Sequence, residues 1–264
     1  MSAAPQAPRS RAVGIDIGGS GIKGAPVDLV EGVFAEDRVR EPTPSPSTPG
    51  AVADVVADLA ERWPEGPLGI TFPAVIKDGV AMTAANVDKS WIGTDAGELL
   101  RTLTGRTVHV VNDADAAGVA EARYGAAKGV RGVVVVVTLG TGIGTALLHD
   151  GVLVPNTELG HLEVDGHDAE TRASDAARDR EELSWKDWAK RLQRYFSALE
   201  ALLQPDLLVV GGGVSKKSDK YLPLLDLRTP IVPAQLLNSA GIIGAAALAA
   251  DDVAAQAPTG GHQE

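Results

Sequence analysis

The stretch DIGGSGIKG at residues 16–24 follows an apolar run that begins at Ala12. A second glycine-rich stretch, LGTGIGTAL at residues 139–147, also follows an apolar run. Such runs are typical of buried strands, and glycine lets backbone N–H groups approach a ligand that side chains would exclude. A single glycine turn is most often an ordinary hairpin. Two such turns, with the acidic string NDAD between them at residues 112–115, point to phosphoryl transfer.

The two turns are predicted to hold the phosphoryl groups of a donor. The residues assigned to phosphate are Asp16, Gly18, Gly19, Ser20, Gly21 and Lys23 in the first turn, and Gly140, Thr141, Gly142 and Gly144 in the second. Asp16 either holds the donor's Mg²⁺ through water or only stabilises the turn conformation. The first role is chemically suitable because Mg²⁺ prefers oxygen ligands and keeps several waters. Lys23 either neutralises a phosphate oxygen or only flanks the hairpin.

The composition of the 264 residues excludes several classes of function. The net charge of −11 argues against a nucleic-acid or anionic-membrane partner, since both need a basic surface. The chain has no cysteine, which excludes disulfides and thiolate zinc sites and fits a reducing cytoplasm. The apolar runs are far shorter than the roughly 20 residues of a membrane helix, and the N-terminal residues lack the apolar segment of a secretory signal. We therefore expect a cytoplasmic protein without a membrane or nucleic-acid partner.

Periodicity and chain breakers predict alternating strands and helices. Strands are expected at 12–17, 22–27, 68–72, 108–111, 132–138 and 207–210, and helices at 51–62, 114–124, 184–204 and 239–250. The two glycine stretches align as strand, turn and strand, which indicates a duplication. The helix 184–204 is expected to begin with a capping box and to bury Trp185, Trp188, Leu192, Tyr195, Leu199 and Leu202. We predict a small lobe of residues 12–113 and 239–251, a large lobe of residues 114–238, and disordered tails at 1–11 and 252–264.

Asp113 stands between a predicted strand and a predicted helix, where open α/β sheets place ligand contacts. Taken alone, the position favours a helix N-cap. A hydroxyl substrate needs an orienting amide and a proton acceptor, and Asn112 and Asp113 supply both beside the phosphate turns. We therefore predict that Asp113 is the general base, and that Asp115 caps or solvates the helix.

The segment ELGHLEVDGHDAETRAS at residues 158–174 is more polar than a core segment. It carries a carboxylate and an imidazole three residues apart and a further acid at Glu170, which are groups that bind sugar hydroxyls in fixed directions. A metal site built from His161 and His167 is the alternative. It is disfavoured because no thiolate lies nearby and the spacing of the two histidines is not diagnostic.

With these motifs in view, the chain resembles the ROK family of sugar kinases, within the actin-like ATPase superfamily, from about residue 12 to residue 250. DIGGSGIKG and LGTGIGTAL are similar to the two phosphate motifs of the family, VVGGGVS is similar to its adenosine-side motif, and NDAD and ELGH are characteristic of its sugar site. The resemblance implies the α/β, actin-like (ribonuclease H-like) fold, in which two α/β lobes flank a substrate cleft.

The resemblance also implies roles for individual residues. Asp113 would be the base for the 6-hydroxyl, and the hexose would be bound by Asn86, Asn112, Asp113, Glu158, His161 and Glu170. Glu170 is placed by AETRAS, which is similar to the LExxAS string of relatives. Many ROK proteins carry a cysteine-rich zinc loop after ELGH. This chain has no cysteine, so no zinc is expected and His161 should reach the sugar directly.

The closer resemblance is to the bacterial polyphosphate glucokinases of this family, through TFPAVIKDGV, AANVDKSWIGT, NDADAAGVAEARYGA, VPNTELGHLEVDGHDAETRAS and LRTPIVPA. It implies transfer of the terminal phosphoryl group of inorganic polyphosphate, and of ATP, to the 6-hydroxyl of glucose, with Mg²⁺ and as a homodimer. The donor side is assigned to Gly211, Gly212, Gly213, Lys216, Lys217 and Lys220. These lysines form either the cationic track that a polyanion needs or a solvated cluster. A strictly ATP-dependent glucokinase, a kinase of another hexose and a non-catalytic sugar-binding regulator are the alternatives.

Overall fold

The computed structural model describes residues 10–256, which form two compact α/β units. The first unit takes the described chain up to Asn112 together with the described chain from Ile242 onward, and the second runs from Asp113 to Gly241. The sequence placed these boundaries after residue 113 and after residue 238.

The first unit is built on a six-stranded sheet of order β3-β2-β1-β5-β8, with β4 also paired to β2. The strands of this sheet are β1 (Arg11–Ile17), β2 (Ile22–Asp28), β3 (Val33–Phe34), β4 (Val39–Glu41), β5 (Leu68–Phe72) and β8 (Val108–Asn112). A separate two-stranded sheet is formed by β6 (Ile76–Lys77) and β7 (Val80–Ala81). β1 and β2 are antiparallel, whereas β5 and β8 continue the sheet in parallel with β1.

Two helices of the first unit have clear local causes. In α1 (Pro49–Glu61) the buried positions recur every three or four residues, which is the spacing of one helix face. α2 (Ala96–Thr104) was not predicted, although its first turn is capped by the Asp95 carboxylate, which accepts a hydrogen bond from the Glu98 N–H at 2.7 Å. Gly105 ends α2 in the left-handed region with φ 65°.

The second unit carries a five-stranded sheet of order β11-β10-β9-β14-β15. The strands of this sheet are β9 (Val133–Leu139), β10 (Ile143–His149), β11 (Val152–Val154), β14 (Leu207–Gly211) and β15 (Ile231–Pro233). A separate two-stranded sheet is formed by β12 (Glu163–Val164) and β13 (His167–Asp168). Its helices are α3 (Asp113–Tyr124), α4 (Ala169–Ala173), α5 (Asp175–Arg180) and α6 (Trp185–Leu203).

The two sheets share one topology. In each, an antiparallel hairpin closed by a glycine turn is followed by two strands parallel to its first strand. The predicted alignment of strand, turn and strand is confirmed. The all-valine run of β9 is explained by burial on both faces, because Val135 and Val137 belong to one apolar cluster and Val134 and Val136 to another.

Helix α6 begins as predicted, with the Ser184 hydroxyl accepting a hydrogen bond from the Asp187 N–H at 3.1 Å. Trp188, Leu192, Tyr195 and Leu199 are fully buried. The prediction for Leu202 is wrong, since its side chain is 64% exposed. The buried face continues through Leu203, four residues after Leu199, which packs against the same apolar cluster, so Leu202 lies off that face.

Helix α7 (Ala240–Gln256) packs on the sheet of the first unit. A Cβ at Gly14 of β1 would overlap the Ile242 carbonyl, and a Cβ at Gly69 of β5 would overlap the Ala245 carbonyl, so both glycines admit the helix backbone. The helix ends later than predicted because its alanine-rich sequence continues to favour helix.

The predicted disordered tails fall mostly outside the described residues, at 1–9 and 257–264. Within the described chain, however, Arg11 lies in β1 and residues 252–256 lie in α7, so the prediction of disorder is wrong there. No helix within residues 10–256 combines the length and the apolar character needed to cross a lipid bilayer.

Candidate active site

The first glycine turn, residues 18–21, closes the β1–β2 hairpin, with the Gly18 N–H donating to the Gly21 carbonyl at 3.2 Å. A Cβ at Gly19 would lie 3.0 Å from the carbonyl oxygen of Asn86, and a Cβ at Gly21 would lie 2.6 Å from Nε of Arg40. At these two positions glycine therefore makes room for protein groups of the first unit. Arg40 was missed by the sequence analysis, since nothing in RVREPTP marks it as a neighbour of the turn.

Asp16 stands at the end of β1 between two hydrogen-bond donors. Its carboxylate accepts from the Thr71 hydroxyl at 2.8 Å and from the Lys23 ammonium at 3.2 Å. The Asp16 and Lys23 side chains are 26% and 29% exposed, so solvent reaches both. Lys23 thus lies against the carboxylate that the sequence assigned to Mg²⁺, rather than only flanking the hairpin.

The two predicted sugar-binding asparagines belong to the first unit. Asn86 is exposed, has a φ of 58° and lies with its backbone against Gly19. Asn112 ends β8, and its side-chain amide donates to the Ala74 carbonyl at 3.0 Å. Asn112 therefore also ties down the loop that follows β5.

Asp113, the next residue, begins α3 and keeps an exposed side chain. Its Oδ1 accepts a hydrogen bond from the Ala114 N–H at 2.9 Å, and the positive end of the helix dipole lies beside it. The carboxylate is therefore held by the helix start and is also accessible to a substrate.

Asp115 does not cap or solvate α3, contrary to the prediction. It is 1% exposed, and its Oδ2 accepts a hydrogen bond from the Asn156 N–H at 2.7 Å. Burial, reinforced by the charges of Glu158 and Asp113, raises the pKa of Asp115 to about 7. The reason is helix geometry, because three residues later Gly118 packs against Ala146 of β10 and Asp115 shares that face.

The second glycine turn, residues 140–142, is tied to Glu170. The Ile143 N–H donates to Oε2 of Glu170 at 2.8 Å, and a Cβ at Gly142 would overlap this carboxylate. A Cβ at Gly140, by contrast, would meet no heavy atom within 4 Å. Gly142 therefore leaves room for the carboxylate of a predicted sugar residue, while Gly140 borders open space. A Cβ at Gly144 would lie 2.5 Å from the hydroxyl of Thr138.

The segment carrying Glu158 is held by Thr145 of β10, which is buried. The Thr145 hydroxyl donates to the Thr157 carbonyl and accepts from the Leu159 N–H at 3.1 Å. A Cβ at Gly160 would overlap the Ile143 carbonyl. The backbone on both sides of Glu158 is thus fixed to β10, and the Glu158 side chain is exposed.

His161 is oriented by Asp168, with His161 Nδ1 2.8 Å from Oδ2 of Asp168. An ionised carboxylate only accepts hydrogen bonds, so Nδ1 carries the proton and Nε2 is the atom left for a ligand. The hydrogen bond to Asp168, helped by the charges of Asp168, Glu170 and Glu158, raises the pKa of His161. Asp168 also caps α4 by accepting from the Glu170 N–H at 2.9 Å.

The structure brings four predicted residues of the second unit into one electrostatic cluster. Asp113 and Glu158 both act on the pKa of Asp115, and Glu158 and Glu170 both act on that of His161. Asp168, Asp115 and Thr145 were not predicted as members of the site. Asp115 and Thr145 act through hydrogen bonds to the segment 156–159, which no local pattern predicts. Asp168 acts through a hydrogen bond to His161, seven residues earlier.

The third glycine element follows β14. Gly212 has a φ of 82°, and a Cβ there would overlap the Leu139 carbonyl, whereas a Cβ at Gly213 would meet nothing within 4 Å. Gly211 ends β14, and a Cβ there would make ordinary contacts. The Ser215 hydroxyl donates to the Gly212 carbonyl at 2.7 Å.

The lysines after this turn surround an indole ring. The ammonium groups of Lys217 and Lys220 lie 5.8 and 5.6 Å from the centroid of the Trp185 ring, and the Arg178 guanidinium lies 4.2 Å from it. These are cation–π distances. Lys216 is exposed. Three cations therefore lie within cation–π distance of one indole ring. Arg178 is also paired with Asp175 and Asp179, through hydrogen bonds of 3.0 and 2.6 Å.

The family profile that matches this chain is that of the ROK family, over residues 12–175. This chain belongs to the ROK family. It is 53% identical to the polyphosphate glucokinase of Mycobacterium tuberculosis (strain CDC 1551 / Oshkosh) over 236 residues, which cover 88% of this chain and 89% of that protein.

Solved ROK structures agree with the fold. The crystal structure of the inorganic polyphosphate/ATP-glucomannokinase from Arthrobacter sp. strain KM is 57% identical, with a TM-score of 0.87 over 92% of this chain and 99% of that chain. The ROK family glucokinase from Streptomyces griseus, in complex with glucose and AMPPNP, is 24% identical, with a TM-score of 0.78 over 91% of this chain and 99% of that chain. The second likeness concerns the fold alone. The predicted actin-like α/β fold and the predicted family are confirmed.

Proposed function

We propose that this protein transfers the terminal phosphoryl group of inorganic polyphosphate to the 6-hydroxyl of glucose and that it also accepts ATP. The observation that carries the proposal is the cluster of Asp113, Glu158, His161 and Glu170 in the unit that holds the second glycine turn. Its chemistry, three carboxylates and an imidazole of which the Asp113 carboxylate begins a helix and is exposed, fits an alcohol that attacks a phosphoryl group. The identities of 53% and 57% to enzymes named for this activity support it.

In this proposal the sugar is oriented before it reacts. Nε2 of His161 and the carboxylates of Glu158 and Glu170 take hydroxyl groups of the glucose in fixed directions, and Asp168 keeps the imidazole in place. Asp113 then accepts the proton of the 6-hydroxyl. An ordinary carboxylate suffices as this base, because in a loose phosphoryl-transfer transition state the proton leaves late. Asn86 and Asn112 remain proposed sugar contacts of the first unit.

The residues at the first turn fit Mg²⁺ held through water. Both oxygens of Asp16 already accept hydrogen bonds from protein donors, and Mg²⁺ keeps several of its own waters. Among residues 10–256 no cluster of three or more histidine, aspartate or glutamate side chains could hold a metal alone, so the donor phosphates would supply most other ligands. When bound, the ion neutralises charge on the phosphoryl oxygens.

The cations around Trp185 are the proposed donor-side contacts of the second unit. Lys217 and Lys220 lie there with Arg178, beside the third glycine element. When several such groups bind a polyanion, its affinity falls steeply as the salt concentration rises, by analogy with counterion release from nucleic acids. Salt-insensitive turnover of polyphosphate contradicts this part of the proposal. The homodimer and the cytoplasmic location stay predictions.

A second acceptor, mannose, is favoured by one observation. The solved structure at 57% identity is named a glucomannokinase. We therefore include mannose as a candidate acceptor of the same site.

The test is a grid of initial rates with glucose, mannose, N-acetylmannosamine and fructose, each against polyphosphate and ATP. The expected result is the highest kcat/KM with glucose, with turnover from both donors. Turnover from ATP alone assigns the protein to the ATP-dependent glucokinases. Glucose binding without turnover from either donor assigns it to the sugar-binding regulators.

A further inference from the structure

Arg40 lies beside the first glycine turn and has no role in the chemistry described above. Its guanidinium rests flat against Gly21, where a Cβ would come within 2.6 Å of Nε and 2.7 Å of Cζ and Nη2. The same Nη2 donates a hydrogen bond of 2.7 Å to the Ser20 carbonyl oxygen. A residue without a side chain therefore lets the sheet hold this guanidinium in a defined place next to the turn.

Arg40 also ends a row of polar side chains that crosses the strands of the first unit. The register sets Asp16 of β1 opposite Lys23 of β2, and Lys23 opposite Arg40 of β4. Residues directly opposite one another in neighbouring strands project from the same face. Neighbouring strands lie about 4.8 Å apart, so the row from Asp16 to Arg40 spans about 10 Å.

The charges along this row are unequal. Lys23 is paired with Asp16 at 3.2 Å, so each largely compensates the other. Arg40 is exposed, and within residues 10–256 no carboxylate lies at ion-pair distance from its guanidinium. The outer end of the row is thus a net cation on a chain of net charge −11, where a local positive charge is needed to attract an anion.

We propose that Arg40 binds the polyphosphate chain at a phosphoryl group beyond the one that is transferred, and that it thereby favours polyphosphate over ATP. The inference rests on the proposed function. A guanidinium offers two parallel N–H donors to phosphate oxygens. ATP ends in a neutral nucleoside after three phosphoryl groups, whereas polyphosphate continues as an anion along the row.

The experiment compares Arg40→Gln, which removes the charge, with Arg40→Lys, which keeps it. Arg38→Gln is the matched control, because Arg38 is also exposed and lies two residues earlier in the same segment. For each protein, kcat/KM is measured with ATP, tripolyphosphate and long-chain polyphosphate at several salt concentrations, and thermal unfolding reports on folding.

For Arg40→Gln we expect kcat/KM with long-chain polyphosphate to fall about tenfold relative to that with ATP, as for the loss of one charge-assisted hydrogen-bond pair. The loss should be smaller with tripolyphosphate, which has no more phosphoryl groups than ATP, and the salt dependence with long chains should become shallower. Arg40→Lys should recover most of the activity, and Arg38→Gln should match the wild type.

An equal loss with all three donors overturns the inference, because it makes Arg40 a support of the Ser20 turn alone. An Arg40→Gln protein with wild-type donor preference overturns it as well. Failure of the proposed function is distinguished from both, since it shows in the wild-type protein as absence of turnover with polyphosphate.

Discussion

Asp115→Asn removes a buried carboxyl group and keeps an oxygen that can accept the hydrogen bond from the Asn156 N–H. Burial raises the pKa of Asp115 from 3.8 to about 7, and one pKa unit corresponds to about 1.4 kcal/mol. The largest penalty for ionised Asp115 in the folded protein is therefore about 4 kcal/mol. Local relaxation reduces such penalties, so we expect about 1–3 kcal/mol in practice.

The sign follows from the direction of the shift. Below the unfolded pKa of 3.8 the carboxyl is protonated in both states and the penalty is absent. Between that pH and about 7 the unfolded state releases its proton more readily than the folded state, so rising pH destabilises the wild-type fold through this group. Asparagine does not titrate, and Asp115→Asn should therefore gain stability relative to the wild type as the pH rises from 5 to 8.

The assay is urea unfolding at pH 5, 6, 7 and 8, followed by circular dichroism. Hydrogen exchange of the α3 peptide should accompany it, because it reports on the stability of the region that holds Asp115. Asp54→Asn, at an exposed position of α1, is the matched control and should show a constant difference from the wild type. If Asp115→Asn differs from the wild type by the same free energy at pH 5 and pH 8, the buried-carboxylate reasoning is refuted.

Three further substitutions probe the site. Asp113→Asn should lower kcat by a factor of about 10²–10⁴, with a smaller change in glucose affinity. Unchanged turnover in steady-state assays would mean that Asp113 only caps the helix. Asp168→Asn removes the main cause of the raised pKa of His161, so the imidazole titration followed by NMR should move to lower pH; an unmoved titration contradicts the assigned hydrogen bond. Gly142→Ala places a methyl group against the Glu170 carboxylate and should raise KM for glucose more than KM for ATP, whereas a larger effect on KM for ATP would assign the glycine to the donor.

Much of the fold could be predicted from the sequence because its causes are local. β1, β5 and β9 are short apolar runs ended by turn residues. Ser184 marks the start of α6 as its N-cap, and the three- and four-residue spacing of its apolar residues predicts its buried face. Glycine turns are local signals too. The departures are at the ends of elements, as for Leu202 and the later end of α7, or in short elements that were not predicted, such as α2, α4, α5 and the two- and three-residue strands. In both cases few residues carry the pattern.

The candidate site could be predicted in its parts but not in its connections. NDAD, ELGH and AETRAS marked Asp113, Glu158, His161 and Glu170 as chemistry-bearing residues. The Glu170 carboxylate lies against Gly142, and this contact joins segments that are far apart in the chain. Asp168, which sets the tautomer of His161, lies only seven residues further along the chain, but the hydrogen bond depends on how the intervening segment folds back.

The sequence by itself determined the main strands and helices, the two glycine turns and the family, because each depends on residues that are close together along the chain. Only the tertiary structure decided that Asp115 is buried rather than solvated, and that Arg40 stands opposite Lys23 at the first turn. Both outcomes depend on which strand or helix face packs against which. That choice is made by the whole core, so no short stretch of sequence contains it.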